Sequence, residues 1–549
     1  MSLQPEDNFE IPEHTVEVAQ AAFPQGNVYI QMRDELGLLF KDEHFADLYP
    51  RRGQPAEAPW RLALVTIMQF AENLTDRQAA DAVRSRIDWK YALGLALTDE
   101  GFHYSVLSEF RTRLVEGEAI HLLFQRMLTV FAEQGLLKVR GTQRTDSTHI
   151  LTAVRVLNRL EMVGETLHHT LNVLAQVAPD WLQAQVPEAW FERYGQRFDE
   201  NRLPKKEKER LALAMTIGQD GIHLLTKIYA EEAPPFLQEI PAVDLLRQIW
   251  VQNFYLEEET VHWRGADDLP PASLMIISPY DPEARYSSKR ETHWSGYKVH
   301  LTETCDPDTP NLITNVETTI STDQDNMVVD RIHGTLKDQQ TLPKQHIVDA
   351  GYVSADLLVE SEEGYGIDLL GPVRPDVSWQ ARDEDAFDIT KFIIDWESEV
   401  VFCPMGKRSR YWSPAKGPRG QPTIQVQFKH SDCLVCATRA RCTRSKSSPR
   451  GLTLQPMKRQ LALQKARARE KTQVFKEQYA RRAGVEGSIS QAVDKLDMRR
   501  SRYRGIAKTH LQHVMTASAM NLMRVMDWLS GRPRSKTRVA PFAALAPST

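Results

Sequence analysis

The feature that most constrains this chain is a repeated change of hydrophobic period. Helix-patterned blocks at 59–136, 154–256 and 452–529 alternate with short runs rich in β-branched residues, at 137–151, 296–302, 312–320, 345–349 and 367–371. Apolar residues three and four apart line one face of a helix, whereas a short β-branched run bounded by turn residues reads as a strand. Strands this short cannot bury a core alone, so runs scattered along the chain must pair in one sheet covered by helices. The pattern predicts an α/β fold: a mixed-sheet core, a helical N-terminal domain, a helical insertion and a Cys-bearing insertion.

The predicted organisation starts with a segment 1–58 and a helical block 59–136. A first part of the core follows at 137–153, then a helical insertion at 154–256 and further core strands and helices at 257–371. A Cys-containing insertion spans 372–449, a basic helical part 450–530 and a flexible tail 531–549. In the first block Trp60 to Phe70 repeats apolar residues at helical spacing, and Thr75 with Gln78 marks the start of a second helix. A third helix is expected from Ser105 to Leu114, bearing Arg111 and Arg113. Short helices with compact turns suit a helix-turn-helix-like DNA-binding unit and suit a dimerisation module as well. The runs at 296–302 and 312–320, joined by the turn-rich 305–310, read as a hairpin. A C-terminal amphipathic helix is expected at 514–529.

Charge is distributed unevenly. Residues 405–512 hold 26 Lys and Arg against 6 Asp and Glu, a net +20, which leaves 42 against 67, a net −25, for the rest. A stretch this basic attracts polyanions, because each phosphate it neutralises releases condensed counterions. It also suits a solvated face or a partner for the acidic remainder. With 42% hydrophobic residues the chain is globular rather than disordered. Five cysteines, an odd number, argue against a secreted disulfide framework. The opening MSLQPEDNFEIPEH is acidic and polar, unlike a secretory signal, and no apolar stretch nears the roughly 18 residues needed to span a bilayer. The expectation is a reduced, cytoplasmic protein with no membrane contact.

Three acids stand out by setting. Asp146 ends a strand in RTDSTHI, Asp349 ends another in HIVDAGY, and Glu486 lies in the basic helical QYARRAGVEGSISQ. A carboxylate at a strand's end projects past the sheet edge, where open sheets commonly place ligands. Two such aspartates and a helix glutamate would bind two hard divalent cations through oxygen. Phosphodiester chemistry needs that set: one metal lowers the pKa of an attacking water or hydroxyl, and the other stabilises the leaving oxygen. A lone Asp is most often a turn or cap residue. The order strand Asp, hairpin, strand Asp, insertion, basic helix with Glu is what favours chemistry.

These residues resemble bacterial insertion-sequence transposases of the DDE type, in the large IS-four/IS-five superfamily, and are most similar to its eleven-eighty-two branch. The resemblance runs from about Phe45 to Trp528, and its most specific part is Tyr479, Arg482 and Glu486, a Tyr, two residues, Arg, three residues, Glu signature. A Lys often follows that Glu by seven positions; here residue 493 is Val, with Lys495 close by. Asp349 to Tyr352 and the Arg-Tyr-Arg-Gly run from Arg502 are also family-like. The resemblance implies an RNase H-like core with Asp146, Asp349 and Glu486 as catalytic metal ligands for two Mg2+ or Mn2+ ions. It implies cut-and-paste movement, in which water frees a 3′-hydroxyl at each element end and that hydroxyl then attacks target DNA. The implied partners are double-stranded DNA (terminal inverted repeats and target) and a second copy of the chain, on the bacterial nucleoid. Arg482 would clamp a phosphate and Tyr479 would stack on terminal DNA; an i,i+4 ion pair and a core aromatic are the plainer alternatives. Lys495, Arg499, Arg502 and Arg504 are the further DNA-binding candidates. A catalytically silent DNA-binding protein and an unrelated metal-dependent nuclease remain open.

The cysteines form a second pattern. Cys433 and Cys436 have the two-residue spacer of a metal knuckle, Cys442 follows, and Cys403 precedes them in a Cys-Pro-Met-Gly run. Four thiolates in a loop-rich insertion suit a structural tetrahedral zinc site, and reduced unliganded thiols are the alternative. Cys305, in the hairpin turn, has no expected role. His149, three residues after Asp146, falls on the opposite strand face from it.

Overall fold

The computed structural model describes residues 2–5, 9–418 and 420–532, so most of the expected flexible tail lies outside the described residues. Six strands form the central sheet: β1 (Thr142–Leu151), β2 (Arg285–Lys289), β3 (Thr292–Thr304), β4 (Ile313–Ile320), β5 (Gln345–Ile347) and β6 (Asp368–Leu370). β1 runs antiparallel to β3, from Gln143 opposite Thr304 to Leu151 opposite Gly296. On its other side β1 pairs in parallel with β5, and β5 with β6. The order is β2-β3-β1-β5-β6, with β4 also antiparallel on β3. The parallel pair β5–β6 is joined by the helix Ala355–Tyr365, the crossover that parallel strands require. A mixed sheet of this kind, flanked by helices, is compatible with an RNase H-like core.

The strand β2 has no counterpart in the sequence reading. Its residues, RYSSK, are polar and mostly exposed, so no alternation of apolar positions marks it. It is held instead by pairing with the N-terminal end of β3.

The N-terminal helices pack on the C-terminal helix, which in turn lies on this sheet. Thr75 caps the helix Asp76–Ser85 through a reciprocal bond with Gln78, as its sequence predicts. Two earlier helices, Glu13–Ala22 and Val28–Leu36, lie in the segment for which no element was expected. Trp60, Phe70, Phe110 and Phe131 share one buried cluster with Tyr297, Val299 and Val316 of the sheet and with Leu511, Met515 and Leu522. The last three belong to the C-terminal helix Ile506–Leu529, in which every residue from Leu511 to Leu522 is buried. The expected amphipathic helix is therefore corrected to a central one, apolar or internally bonded all round because the sheet covers one side and the N-terminal helices another. Its Asn521 side chain closes the edge of β4, accepting from the Ile313 N–H at 2.7 Å and donating to the Ile313 carbonyl at 2.8 Å.

The two insertions carry their own cores. Helices Arg159–Val177, Glu207–Ile228 and Pro241–Asn253 enclose a cluster that includes Leu167, Ile217, Leu246 and Trp250. The Cys-bearing insertion, expected to be irregular, is built on strands. Ser409–Lys416, Pro422–Phe428 and Gly451–Leu454 form a three-stranded sheet, and Ile393–Asp395 pairs with Val400–Phe402. Its small core is Phe392, Val401, Val426, Phe428, Leu452 and Leu454. Apolar and polar residues alternate along IQVQF and GLTL, a strand signal that the reading of this segment as irregular passed over, and the last strand falls in what reads as the following basic block.

Candidate active site

Asp146 and Asp349 lie side by side past the C-terminal end of β5, and Glu486 is linked to Asp146 through Arg482. Asp146 stands in the middle of β1 rather than at the strand end expected for it. Parallel pairing sets Arg144 opposite Ile347. Two residues further along each chain segment stand Asp146 and Asp349, so the register alone places these aspartates side by side. Glu486 arrives from a distant segment, the helix Ala483–Leu496. One guanidinium joins it to the sheet: Arg482 donates to Asp146 Oδ2 at 2.7 Å and to Glu486 Oε1 at 2.6 Å. Asp146 also accepts from the Ser147 N–H at 2.8 Å, and Asp349 from the Gly351 N–H at 2.7 Å.

The helix bearing Glu486 is fixed by a buried ionic network beneath it. Glu303 of β3 is wholly buried and pairs with Arg144 of β1 at 2.6 Å and with Arg524 of the C-terminal helix at 2.9 Å. Ser488 donates to the same carboxylate at 2.6 Å. Arg144 also reaches the Arg481 carbonyl, where the chain turns into the Glu486 helix. Gly484 lies so close to the Arg144 guanidinium that a Cβ there would collide with it. Ser488, two positions after Glu486, faces inward, so Glu486 faces outward and is largely exposed.

Electrostatics concentrate on Asp349 and Arg482. Burial pushes the Asp349 carboxyl above its ordinary value, opposed by the Gly351 hydrogen bond and reinforced by the charges of Asp146 and Asp325. For Arg482, burial disfavours the charge, but Asp146 and Glu486 outweigh it and the pKa is raised. Tyr479 stacks on Phe475 with ring centroids 5.5 Å apart, lies 5.9 Å from the Arg482 guanidinium, and has its pKa raised by burial and by the nearby aspartates. Beneath the aspartates, buried His300 bonds to the buried Tyr352 hydroxyl at 2.7 Å, and burial lowers its pKa to about 3.

Asp325 was not singled out from the sequence. It begins the short helical turn Asp325–Val328, where an acid reads as a helix-start residue. In the fold a Cβ on Gly351 would stand 2.9 Å from Asp349 Oδ1 and 3.2 Å from Asp325 Oδ2, so the two carboxylates flank that glycine. Lys298 of β3 pairs with Asp325 at 3.1 Å.

The basic candidates divide. Lys495 and Arg504 are exposed, Arg504 beside the Tyr280 ring at 5.4 Å. Arg499 and Arg502 are half-buried and engaged within the fold: Arg499 donates to Thr148 Oγ1 at 2.7 Å and to the His149 carbonyl at 2.9 Å. Arg502 donates to the Leu74 carbonyl at 3.1 Å and to the Asn73 side chain, and covers Phe70. The Ser105–Glu116 helix likewise turns its arginines inward, Arg111 to Asp76 at 2.6 Å and Arg113 over the Tyr49 ring.

As a donor set, Asp146, Asp349 and Glu486 offer hard anionic oxygens suited to Mg2+ or Mn2+. Among the described residues no three His, Cys, Asp or Glu side chains stand at metal-holding separation, and here the cation between Asp146 and Glu486 is Arg482.

A mixed sheet of this kind, with carboxylates near the end of one strand, is compatible with a DDE transposase domain. The comparisons agree: residues 402–526 match the Transposase DDE domain family, and residues 17–113 match the Transposase domain (DUF772) family. Over those two segments the chain is similar to transposase domains, which supports reading it as a transposase. Tyr479, Arg482 and Glu486 fall within the first match, whereas Asp146 and Asp349 lie between the two. No curated protein and no solved structure matches the chain. Among the described residues no helix is long and apolar enough to cross a membrane.

Proposed function

We propose that this chain is a DDE-type transposase that binds the ends of its own insertion sequence and cuts and joins DNA phosphodiesters, with Asp146, Asp349 and Glu486 as its metal-holding carboxylates. The observation that carries the reading is the Arg482 bridge: residues 336 positions apart, Arg482 and Asp146, are drawn together with Glu486 at one sheet end. Divalent ions held there would activate the attacking water or 3′-hydroxyl and stabilise the leaving oxygen. The chain's own residues do the rest. Arg482, released from the two carboxylates when a divalent ion takes up their charge, is free to bind a DNA phosphate. Tyr479, with one ring face on Phe475, offers the other to a base or sugar. The basic stretch 405–512, with Lys495 and Arg504 exposed, supplies positive charge for the backbone. Two element ends must be held at once, which favours a homodimer on DNA.

The test is cleavage of DNA carrying the gene's flanking sequences with Mg2+ or Mn2+, comparing wild type with Asp146→Asn, Asp349→Asn and Glu486→Gln. Discrete end cuts by wild type alone, with DNA binding retained in all four proteins, are expected. Undiminished cutting by any variant removes that residue from the set. End-specific binding without cutting by wild type would identify a silenced DNA-binding protein instead.

A further inference from the structure

Four of the five cysteines come together far from the acids. Cys403, Cys433, Cys436 and Cys442 line one pocket of about 240 Å3 at the end of the small β-sheet of the insertion. Cys403 follows the strand Val400–Phe402, and Cys433 lies in the short helix His430–Leu434. Cys442 ends the helix Arg439–Cys442. The fifth, Cys305, is buried elsewhere, against Ile347, Leu370 and Phe475.

The turn after Cys403 is shaped for a sulfur ligand. Cys403 donates its N–H to the Lys407 carbonyl at 2.9 Å and accepts the Gly406 N–H on its own carbonyl at 2.8 Å. Gly406 takes φ +73, the left-handed conformation that lets so tight a turn close. As a result the Lys407 N–H points at Cys403 Sγ, 3.4 Å away. An amide aimed at sulfur stabilises a thiolate. A second sulfur, that of Cys436, lies 3.3 Å from the Thr438 hydroxyl.

Two arginines line the same pocket with unused donors. Arg439 Nη1 and Arg450 Nε are buried without a hydrogen-bond partner among the described residues. An orphaned buried guanidinium N–H is costly, so two at one pocket call for a negative group there. Nothing in the lining supplies one as long as the thiols are neutral, apart from Asp432. A divalent cation ringed by four thiolates would: the thiols give up their protons to solvent, and the complex carries a double negative charge.

We propose that these four cysteines bind one thiophilic divalent cation, of the zinc class, which closes the insertion. In the present arrangement the sulfurs surround a cavity without converging on one point, since no three stand at metal-holding separation. Each is carried by a turn or by a helix of five residues or fewer, elements that can be drawn in to metal–sulfur distances of about 2.3 Å without breaking a strand ladder. The six-residue core of the insertion is small for a unit of this size, and a bound ion supplies the cross-link that burial does not. The exposed Val435, between two of the ligands, then marks the outer rim of a knuckle rather than a misplaced core residue.

The experiment uses the full chain, purified reduced and without chelator, with metal content measured per chain. One equivalent of zinc is expected in wild type and in Cys305→Ser, with its loss in Cys433→Ser and in Cys436→Ser. Because those variants can also unfold the insertion, cobalt(II) is added to the metal-free wild type as an independent reading. Intense thiolate-to-cobalt absorption with tetrahedral d–d bands supports the site. Zinc-free protein that gives only the weak spectrum of solvated or octahedral cobalt overturns it.

Discussion

Asp349 carries the heaviest electrostatic load of any single group at the acid cluster. Its carboxyl is pushed up by burial and by its acidic neighbours, so the folded state favours its protonated form. A raised acid contributes stability that is fully present below the ordinary Asp range and is lost as pH rises through the raised value. Without divalent ions, wild type is therefore expected to lose thermal stability from about pH 4 towards pH 7 more steeply than Asp349→Asn. Mg2+ or Mn2+ should restore the wild type and leave the variant unmoved. Identical pH slopes in thermal melts would show that this carboxylate bears no strain. Glu303 presents the opposite case, a buried charge fully matched by Arg144, Arg524 and Ser488. Glu303→Gln leaves two guanidiniums undercompensated, with an expected cost of about 3–5 kcal/mol in denaturant unfolding. A loss below about 1 kcal/mol would mean the network contributes little. Apart from the Gly351 N–H on Asp349, neither residue's state can be read from its neighbours in sequence, since the charged groups that set it lie at least 24 positions away, Asp325 being the nearest.

At the scale of elements, placement of the Glu486 helix matters most. Its start is clamped by Arg144 on the Arg481 carbonyl, and the absence of a side chain at Gly484 makes room for that guanidinium. Gly484→Ala raises intrinsic helix propensity by up to about 1 kcal/mol, so propensity alone predicts a better helix. The collision with Arg144 is expected to win: the helix start shifts, DNA cleavage drops at least tenfold, and far-ultraviolet circular dichroism stays near wild type. Wild-type cleavage in this variant would show that Arg144 can yield at no functional cost. The strands β3 to β6 were visible as short runs between turn residues, and the capping pair Thr75 and Gln78 marked its helix correctly. The polar β2 was not, because pairing with a neighbour rather than burial of one face defines it, while the insertion's alternating IQVQF and GLTL, which do bury one face, were passed over within a segment read as irregular.

For the whole molecule, the arrangement of cores decides what can be separated. The N-terminal helices share one buried cluster with the sheet and the C-terminal helix, whereas the helical insertion encloses its own. Removing residues 1–136 strips the C-terminal helix of one covering face and exposes Met515, Leu522 and their neighbours. The truncated chain is expected to be insoluble or to lose cooperative unfolding. A soluble fragment with a sharp melt would mean that the sheet and C-terminal helix suffice as a core. The inward arginines of the Ser105–Glu116 helix belong to the same picture: they serve the packing between helices, with Arg111 tied to Asp76.

Local pattern by itself determined the α/β class, the alternation of helical blocks and strands, and the three acids worth testing, because period, caps and turn residues act over a few positions. The basic polarity of the C-terminal third was also legible, since charge is counted without reference to shape. Only the tertiary structure decided which side chains meet. It set Asp146 beside Asp349 through a parallel register, brought Arg482 between Asp146 and Glu486, and added Asp325. It also took Arg499 and Arg502 out of the exposed basic set and into the fold. The physical reason is common to all of these. Hydrogen bonds and ion pairs act over a few ångströms, and the chain separates the partners by up to several hundred residues that only packing brings together.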